Sequence, residues 1–245
     1  PDFDANLSRY AYLVSLFPTK IIEDLSLSLQ LRRRETASFT PFDRNNRSTG
    51  LLLSNINEAA NQQQIEQLHA GDYAGYQRMI AIQQLFSEKI WDSFLEPLQG
   101  KTAWEKQFKT SEEKKAWQAI VEQPIGNFIE SHVQDDILRG VLLTDAKIGA
   151  FTHAHDPNLL QNRTFLYHIV GNKTGEWRVP VGGMGAVVEA LKNAALKAGA
   201  QLLREAPVTH LQLGNDYHTV GYQKDQKTYE IKAKHVLVNA SPEAL

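Results

Sequence analysis

A glycine turn that leads into a helix constrains the fold of this 245-residue chain more than any other stretch. The segment "VPVGGMGAVVEALKNAALKAGAQLLRE" (179–205) places Gly182, Gly183 and Gly185 ahead of apolar residues that recur three and four positions apart. That spacing predicts an amphipathic helix, and Gly199 is the residue type best suited to end it in a left-handed conformation.

The glycine spacing departs from the fingerprint of a dinucleotide-binding unit. In a G-x-G-x-x-G turn the third glycine lets the helix pack closely on its strand. Counted from Gly183, that position is Val188, whose branched side chain would hold the helix away. Gly175 and Pro180 also interrupt the segment where a central parallel strand would lie. We therefore favour a plain glycine turn that begins a helix, with direct dinucleotide binding, assisted by Glu205, as the alternative.

Five segments after the helix are predicted as strands, because turn-forming residues separate short apolar or alternating runs. They are "AQLLRE", "PVTHLQL", "YHTVGYQ", "TYEIKA" and "HVLVNA". The middle three predict an antiparallel meander, since a repeating βαβ fold would place another helix after the second strand. The last segment is expected to be a short buried strand.

Most of the chain before Phe165 is predicted to be helical. The predicted helix starts are a cap at Asp72, a capping box at Thr110 and Glu113, a start near Pro124, and a cap at Asp135 or Asp136. We interpret the basic triplet 32–34 as a solvated turn.

The order "GGMG", helix, "AGAQLLREAPVTHLQL", meander, "AKHVLVNASP" resembles the middle of phytoene dehydrogenase-like FAD oxidoreductases. These are relatives of the carotenoid desaturases within the monoamine-oxidase-like flavoproteins. The chain is most similar to the subgroup named pyridine nucleotide-disulfide oxidoreductase domain-containing proteins. The stretches "SRYAYLVSLFPTKIIEDLSLSLQL", "TASFTPFD", "GDYAGYQRM", "LLTDAKIGAF" and "FLYHIVGNKTGEWRVPVGGMGAV" fit that subgroup in the same order. The resemblance thus covers nearly the whole chain.

The resemblance implies a mixed α+β or α/β fold in two parts. Residues 1–175 would form a largely helical substrate-binding (cap) domain. Residues 176–245 would form part of an FAD-binding domain, with the glycine turn, the helix and the β-meander but without a GxGxxG unit. We place the boundary near Gly175, where turn residues cluster.

The same resemblance implies part of an FAD-dependent oxidoreductase that dehydrogenates or isomerises an apolar substrate by hydride transfer to flavin. Its expected cofactor-binding residues are Val208, through its main chain, with Gly182, Gly183, Ala240 and Ser241. Three residues ahead of the glycine turn are expected to line a pocket for a small apolar substrate: Tyr167, His168 and Trp177. Burial of these aromatic residues on a strand is the alternative.

Members of this family also carry a strand–GxGxxG–helix unit and a segment that closes over the flavin, and neither is evident in this sequence. We therefore expect an interior piece of a flavoenzyme that is inactive alone and binds FAD weakly or not at all. Two alternatives stay open. One is a non-enzymatic interaction protein that keeps the flavoprotein scaffold, and the other is an NAD-dependent dehydrogenase that uses the GGMG turn.

Composition excludes several other classes. The chain is 42% hydrophobic and 22% charged, with a net charge of -2, and so lacks the basic excess typical of nucleic-acid binding. The absence of cysteine excludes thiolate catalysis. "THAHD" contains His153, His155 and Asp156; alternate residues of a strand point the same way, so the two imidazoles could share a metal, but no third ligand at a suitable separation is evident and no metal is expected. We expect a cytoplasmic protein and leave peripheral membrane contact open; the sequence does not define catalytic residues or an oligomeric state.

Overall fold

The computed structural model describes residues 8, 11, 13–241 and 243 and confirms a mixed fold of helices and small antiparallel sheets. The helices are α1 (Thr19–Asp24), α2 (Glu58–Leu68), α3 (Asp72–Ile90), α4 (Lys101–Glu105), α5 (Ser111–Trp117), α6 (Ile125–Glu130), α7 (Asp136–Lys147), α8 (Leu160–Ile169) and α9 (Met184–Lys197). The strands are β1 (Leu31–Arg33), β2 (Thr36–Arg44), β3 (Arg47–Ser54), β4 (Arg178–Pro180), β5 (Val208–Gln212), β6 (His218–Lys224) and β7 (Lys227–Ala233). Short 3₁₀ turns cover Trp91–Leu95 and Gly171–Lys173, and a π turn covers Gln118–Glu122.

The chain divides into two compact units, residues 1–194 and 195–245. The assignment of residues 1–175 to a substrate domain and 176–245 to part of an FAD-binding domain stays a prediction.

The first unit has a core of buried apolar side chains from α2, α3, α5–α8 and β3. At its centre the Phe86 ring lies 5.2 Å from that of Phe108 and 6.3 Å from that of Trp117, between ring centroids. Helices pack here because their apolar residues recur with helical spacing and bury one face each. This core holds α7 and α8 side by side.

Local signals predicted several helix starts correctly. The Thr110 side chain accepts from the backbone N–H of Glu113, and the Glu113 carboxylate accepts from the N–H of Thr110, which confirms the capping box. Pro124 is the N-cap of α6, and Asp135 caps α7 by accepting from the N–H groups of Ile137 and Leu138. These caps depend on neighbours in sequence, so they can be recognised without the fold.

The prediction that Asp72 caps its helix is wrong, because Gly71 holds that position with a φ of 91°. The Asp72 carboxylate is 2% exposed and accepts instead from the N–H groups of Gln134 and Asp135, at 2.8–2.9 Å. Asp72 makes this contact across 62 residues instead of capping its own helix, because the N–H groups of Gln134 and Asp135 would otherwise lack a partner.

A β-hairpin, β2–β3, interrupts the region that we predicted to be mainly helical. Arg44 pairs with Arg47 across a two-residue loop in which Asn45 and Asn46 have φ of 53° and 58°. Consecutive left-handed residues are typical of a type I′ turn, which asparagine favours. The basic triplet is also not a solvated turn, because Leu31–Arg33 pair with β4 as strand β1.

The second unit contains the antiparallel sheet β5–β6–β7, which confirms the meander. The helix before it, α9, is also confirmed, and Gly199 follows it with a φ of 87°. The strands predicted at 200–205 and 235–240 are wrong: both stretches are irregular, and Leu237 is 99% exposed. A strand needs a partner for its backbone groups, and no described strand pairs with either stretch.

Candidate functional site

The glycine turn between β4 and α9 is the first part of the candidate site. Gly182 and Gly183 have φ of 85° and 72°, a region that residues with a Cβ rarely adopt. The Gly183 N–H donates to the carbonyl of Pro180 at 3.0 Å and closes the turn. A Cβ built at Gly183 would meet no atom within 4 Å, so open space borders the backbone here.

The turn does not belong to a βαβ unit among the described residues. β4 has three residues and pairs antiparallel with β1, and the stretch that follows α9 is irregular. Val188 is exposed. The glycines therefore serve to bend the chain into α9, as the plain-turn interpretation predicted.

Strands β1 and β4 bring a second group of residues together. Leu31 pairs with Pro180 and Arg33 with Arg178, so Arg34 and Trp177 are the next residues along the two strands. The Arg34 guanidinium carbon lies 5.9 Å from the centroid of the Trp177 ring, which is cation–π geometry. This contact joins positions far apart in the sequence.

The three predicted substrate residues cluster in the structure. The His168 ring lies 5.1 Å from that of Tyr167 and 5.3 Å from that of Trp177, between centroids. Trp177 Nε1 donates to the His168 carbonyl at 3.3 Å. Tyr167 and His168 lie on α8 rather than on a strand, so the strand-burial alternative is wrong for these two residues. Their role in substrate binding stays a prediction.

The His168 imidazole donates a hydrogen bond through Nδ1. This nitrogen lies 2.7 Å from the Thr164 carbonyl, which can only accept, so Nδ1 carries a hydrogen. His168 is 8% exposed. Burial raises the pKa of the Asp145 carboxyl on α7 above its ordinary value, while the charge of the nearby His168 acts to lower it. A carboxyl group whose ionised form is destabilised by burial thus lies near the aromatic cluster.

The remaining predicted cofactor residues belong to the second unit. Val208 is the first residue of β5, pairs with Tyr222 and is 64% exposed. Ala240 and Ser241 lie in an exposed irregular stretch after β7. Their contact with a cofactor stays a prediction.

The residues of "THAHD" occupy a turn and not a strand, so the proposed alternation of side chains does not hold. His155 bonds to Asn127 at 3.1 Å and Glu130 at 2.9 Å, and Asp156 accepts from Thr152 at 2.8 Å. Within the part of the chain that the structure describes, no three His, Asp or Glu side chains converge on one point.

The residues present at the glycine turn fit a dinucleotide cofactor such as FAD. The open space at Gly183 admits a ligand to the backbone, and the first turn of α9 has no acidic residue to repel a phosphate. The turn can be recognised in the sequence, but Arg34 cannot, because the β1–β4 pairing that places it beside Trp177 has no local signal.

No helix in the described part of the chain has the length and apolarity to cross a membrane.

Comparisons with known proteins agree with a flavoprotein origin. A family profile described as flavin containing amine oxidoreductase matches residues 19–245. An uncharacterized protein of Mycobacterium tuberculosis (strain H37Rv) is 38% identical over 244 residues, which is 98% of this chain and 45% of that protein. The mouse pyridine nucleotide-disulfide oxidoreductase domain-containing protein 2 is 29% identical over 264 residues, covering 96% of this chain and 45% of its own length.

The chain therefore spans about half the length of the curated relatives that it matches. Among solved structures, a double mutant of putrescine oxidase with redesigned cofactor binding aligns with a TM-score of 0.45 and 15% identity. That alignment covers 91% of this chain and 44% of the oxidase chain.

Proposed function

The chain belongs to the flavin-containing amine oxidoreductase family, and from this premise we propose that it supplies the substrate pocket and part of the flavin site of an FAD-dependent oxidoreductase. The proposed reaction dehydrogenates or isomerises a small apolar substrate. When bound, FAD supplies the hydride acceptor for this reaction. The chain's own residues bind and orient the cofactor and the substrate.

The glycine turn is the observation that supports this proposal most. Two successive left-handed glycines expose backbone beside open space, at the start of a 14-residue helix. The first amides of an α-helix lack partners within the helix and favour anions. We propose that Gly182 and Gly183 lie against the cofactor, with Val208, Ala240 and Ser241 as further contacts.

Tyr167, His168 and Trp177 are proposed to form a wall of the substrate pocket. The His168 ring lies against both of the other rings, and aromatic side chains offer a large apolar area to a ligand. The Trp177 indole N–H is already bonded to the His168 carbonyl, so it needs no hydrogen-bond partner from an apolar ligand.

A pair of glycine substitutions tests the cofactor part of the proposal. Gly183 and Gly199 flank the same helix, both have positive φ, and a Cβ at either meets no atom within 4 Å. Each change to alanine should therefore cost about 1–2 kcal/mol of stability from backbone strain. Only Gly183→Ala places a methyl group where the cofactor is proposed to approach, so it alone should weaken FAD binding, by about tenfold or more.

The assay is an FAD titration of the protein expressed from its complete gene, followed by flavin fluorescence quenching. The 245-residue chain alone is expected to bind FAD weakly, because a turn without the rest of a pyrophosphate site makes few charge-assisted bonds. Equal FAD affinity in Gly183→Ala and Gly199→Ala would indicate that the turn does not contact the cofactor. A full-length preparation that takes up no flavin would support a non-enzymatic scaffold protein, and protection of the turn by NAD would support the nicotinamide alternative.

A further inference from the structure

We propose that Arg34 and Trp177 form a binding site for an oxyanion, a carboxylate or a phosphate group of a ligand. This inference goes beyond the flavin chemistry proposed above and does not require it. It rests on the placement, burial and pairing of the Arg34 guanidinium.

Placement is the first argument. The antiparallel register of β1 and β4 fixes Arg34 beside Trp177, and the guanidinium lies over the indole ring. The Arg34 carbonyl accepts from Asn55 Nδ2 at 2.9 Å, which anchors the backbone from the other side. An arginine that is stacked and anchored in this way loses less conformational freedom when a ligand binds.

Unsatisfied hydrogen bonding is the second argument. Arg34 is half-buried, and its Nε is shielded from solvent without a hydrogen-bond partner among the described residues. A buried donor of a charged group is costly to leave unpaired. An oxyanion beside the guanidinium would offset the cost of holding this charged group half-buried, and the planar fork of arginine fits the two oxygens of a carboxylate or phosphate.

The surrounding charges are the third argument. Glu176, two residues before β4, is already shared by Arg33 at 2.6 Å and Arg178 at 2.8 Å. The ion pairs among the described residues do not include Arg34. On and beside these two strands the positive charges of Arg32, Arg33, Arg34 and Arg178 exceed the negative charges of Glu35 and Glu176, which favours an anion from outside the chain.

The site is separate from the glycine turn. Leu31 and Pro180 lie at the end of the strand pair that leads to the turn, and Arg34 and Trp177 lie at the opposite end. The three residues of β4 alone span roughly 10 Å at about 3.3 Å per residue, and the glycine turn lies beyond them. An oxyanion at Arg34 is thus a different group from any phosphate at the turn.

Two probes distinguish the source of the oxyanion. Sodium hexanoate represents a carboxylate on an apolar molecule, and inorganic phosphate represents a phosphorylated ligand. Each is titrated at constant ionic strength into the protein expressed from its complete gene, with tryptophan fluorescence excited at about 295 nm and calorimetry as readouts. We expect saturable binding of at least one probe and a fluorescence change that Trp177→Phe abolishes.

Three arginine variants locate the site. Arg34→Gln should weaken the bound probe by about tenfold or more, because it removes a charge-assisted fork. Arg34→Lys should weaken it by a smaller factor, since it keeps the charge and loses the planar donors. Arg32→Gln removes an exposed charge on the same strand and should leave affinity within about twofold.

Circular dichroism checks that each variant is folded, and Arg34→Lys decides the question if Arg34→Gln unfolds. The proposal is overturned if neither probe saturates in the wild-type protein, or if the folded Arg34 variants bind as the wild type does. Equal losses in Arg32→Gln and Arg34→Gln would also overturn it, since they would indicate a general positive field and no specific site.

Discussion

Asn162→Asp is a sharp test of the buried polar junction beneath α8. Asn162 is 4% exposed, and its Oδ1 accepts from the N–H of Ile125 at 3.0 Å. Its Nδ2 donates to the carbonyls of Ile120 at 2.8 Å and Gln123 at 2.6 Å. One amide thus fixes the connection between the π turn and α6.

The magnitude follows from these three bonds. A carboxylate at this position can still accept from Ile125 but has no hydrogen for the two carbonyls, and two lost bonds cost about 2 kcal/mol. Burial and the facing carbonyl oxygens raise the pKa of the introduced carboxyl, and a raise of about three units adds about 4 kcal/mol at neutral pH. The total of about 6 kcal/mol is a large part of the 5–15 kcal/mol that usually stabilises a domain.

The sign of the pH dependence separates this mechanism from a simple loss of packing. Because the folded pKa of the introduced carboxyl lies above its unfolded value of about 3.9, stability is highest below that pH and falls as pH rises towards the folded pKa. The loss relative to wild type should therefore grow from about 2 kcal/mol near pH 4 to about 6 kcal/mol near pH 7. Asn162→Ala should cost about 3 kcal/mol or more at either pH, since it introduces no titratable group.

The assay is urea unfolding followed by circular dichroism, with each variant compared with wild type at the same pH. Asn193→Asp on the exposed side of α9 is the matched control and should stay within about 0.5 kcal/mol of wild type. A loss for Asn162→Asp that does not change between these pH values would refute a raised pKa for a carboxyl buried at this position.

Two further predictions concern the flavin site and the capping box. In the full-length protein, Val208→Ala should leave FAD affinity within about twofold, whereas Val208→Pro, which removes a backbone donor, should weaken it by about tenfold or more; equal losses in an FAD titration would contradict a main-chain contact. The Lys89 ammonium and the backbone N–H groups of Thr110 and Lys109 lower the pKa of Glu113 from 4.5 to about 2. The Glu113 carboxylate therefore stabilises the folded chain above about pH 4.5, and this stabilisation is lost as pH falls towards 2. Glu113→Gln should make the decrease in stability at acid pH, measured by urea unfolding, less steep. An unchanged decrease would contradict the prediction.

Helix boundaries were predictable where their cause is local. The capping box at Thr110 and the C-terminal Gly199 use only neighbouring residues, so three or four positions of sequence carry the whole signal. The β2–β3 hairpin had a local signal too, the Asn45–Asn46 turn, but Pro41 and Gly50 break the apolar alternation around it. The Asn-Asn pair, a residue type that favours the left-handed conformation of a type I′ turn, indicated this hairpin better than the apolar alternation did.

The candidate site was only partly predictable, because its members lie on elements that pair across long sequence separations. Tyr167, His168 and Trp177 are near one another in sequence, and their proximity was predicted from that alone. Arg34 reaches the same cluster through the β1–β4 pairing, and nothing near residue 34 indicates which strand will lie beside it.

The two wrong strand predictions have a physical cause that also bears on function. Segments 200–205 and 235–240 have the apolar composition of strands, yet Leu202 and Leu203 are half-exposed and Leu237 is almost fully exposed. Apolar composition gives a strand only when a neighbouring strand satisfies its backbone and covers its face. The segments flank the meander whose first residue, Val208, is a proposed flavin contact. Order in these segments and cofactor binding at Val208 should therefore depend on the same additional contacts, and a fluorescence change on adding FAD should be accompanied by slower amide exchange at 200–205 and 235–240.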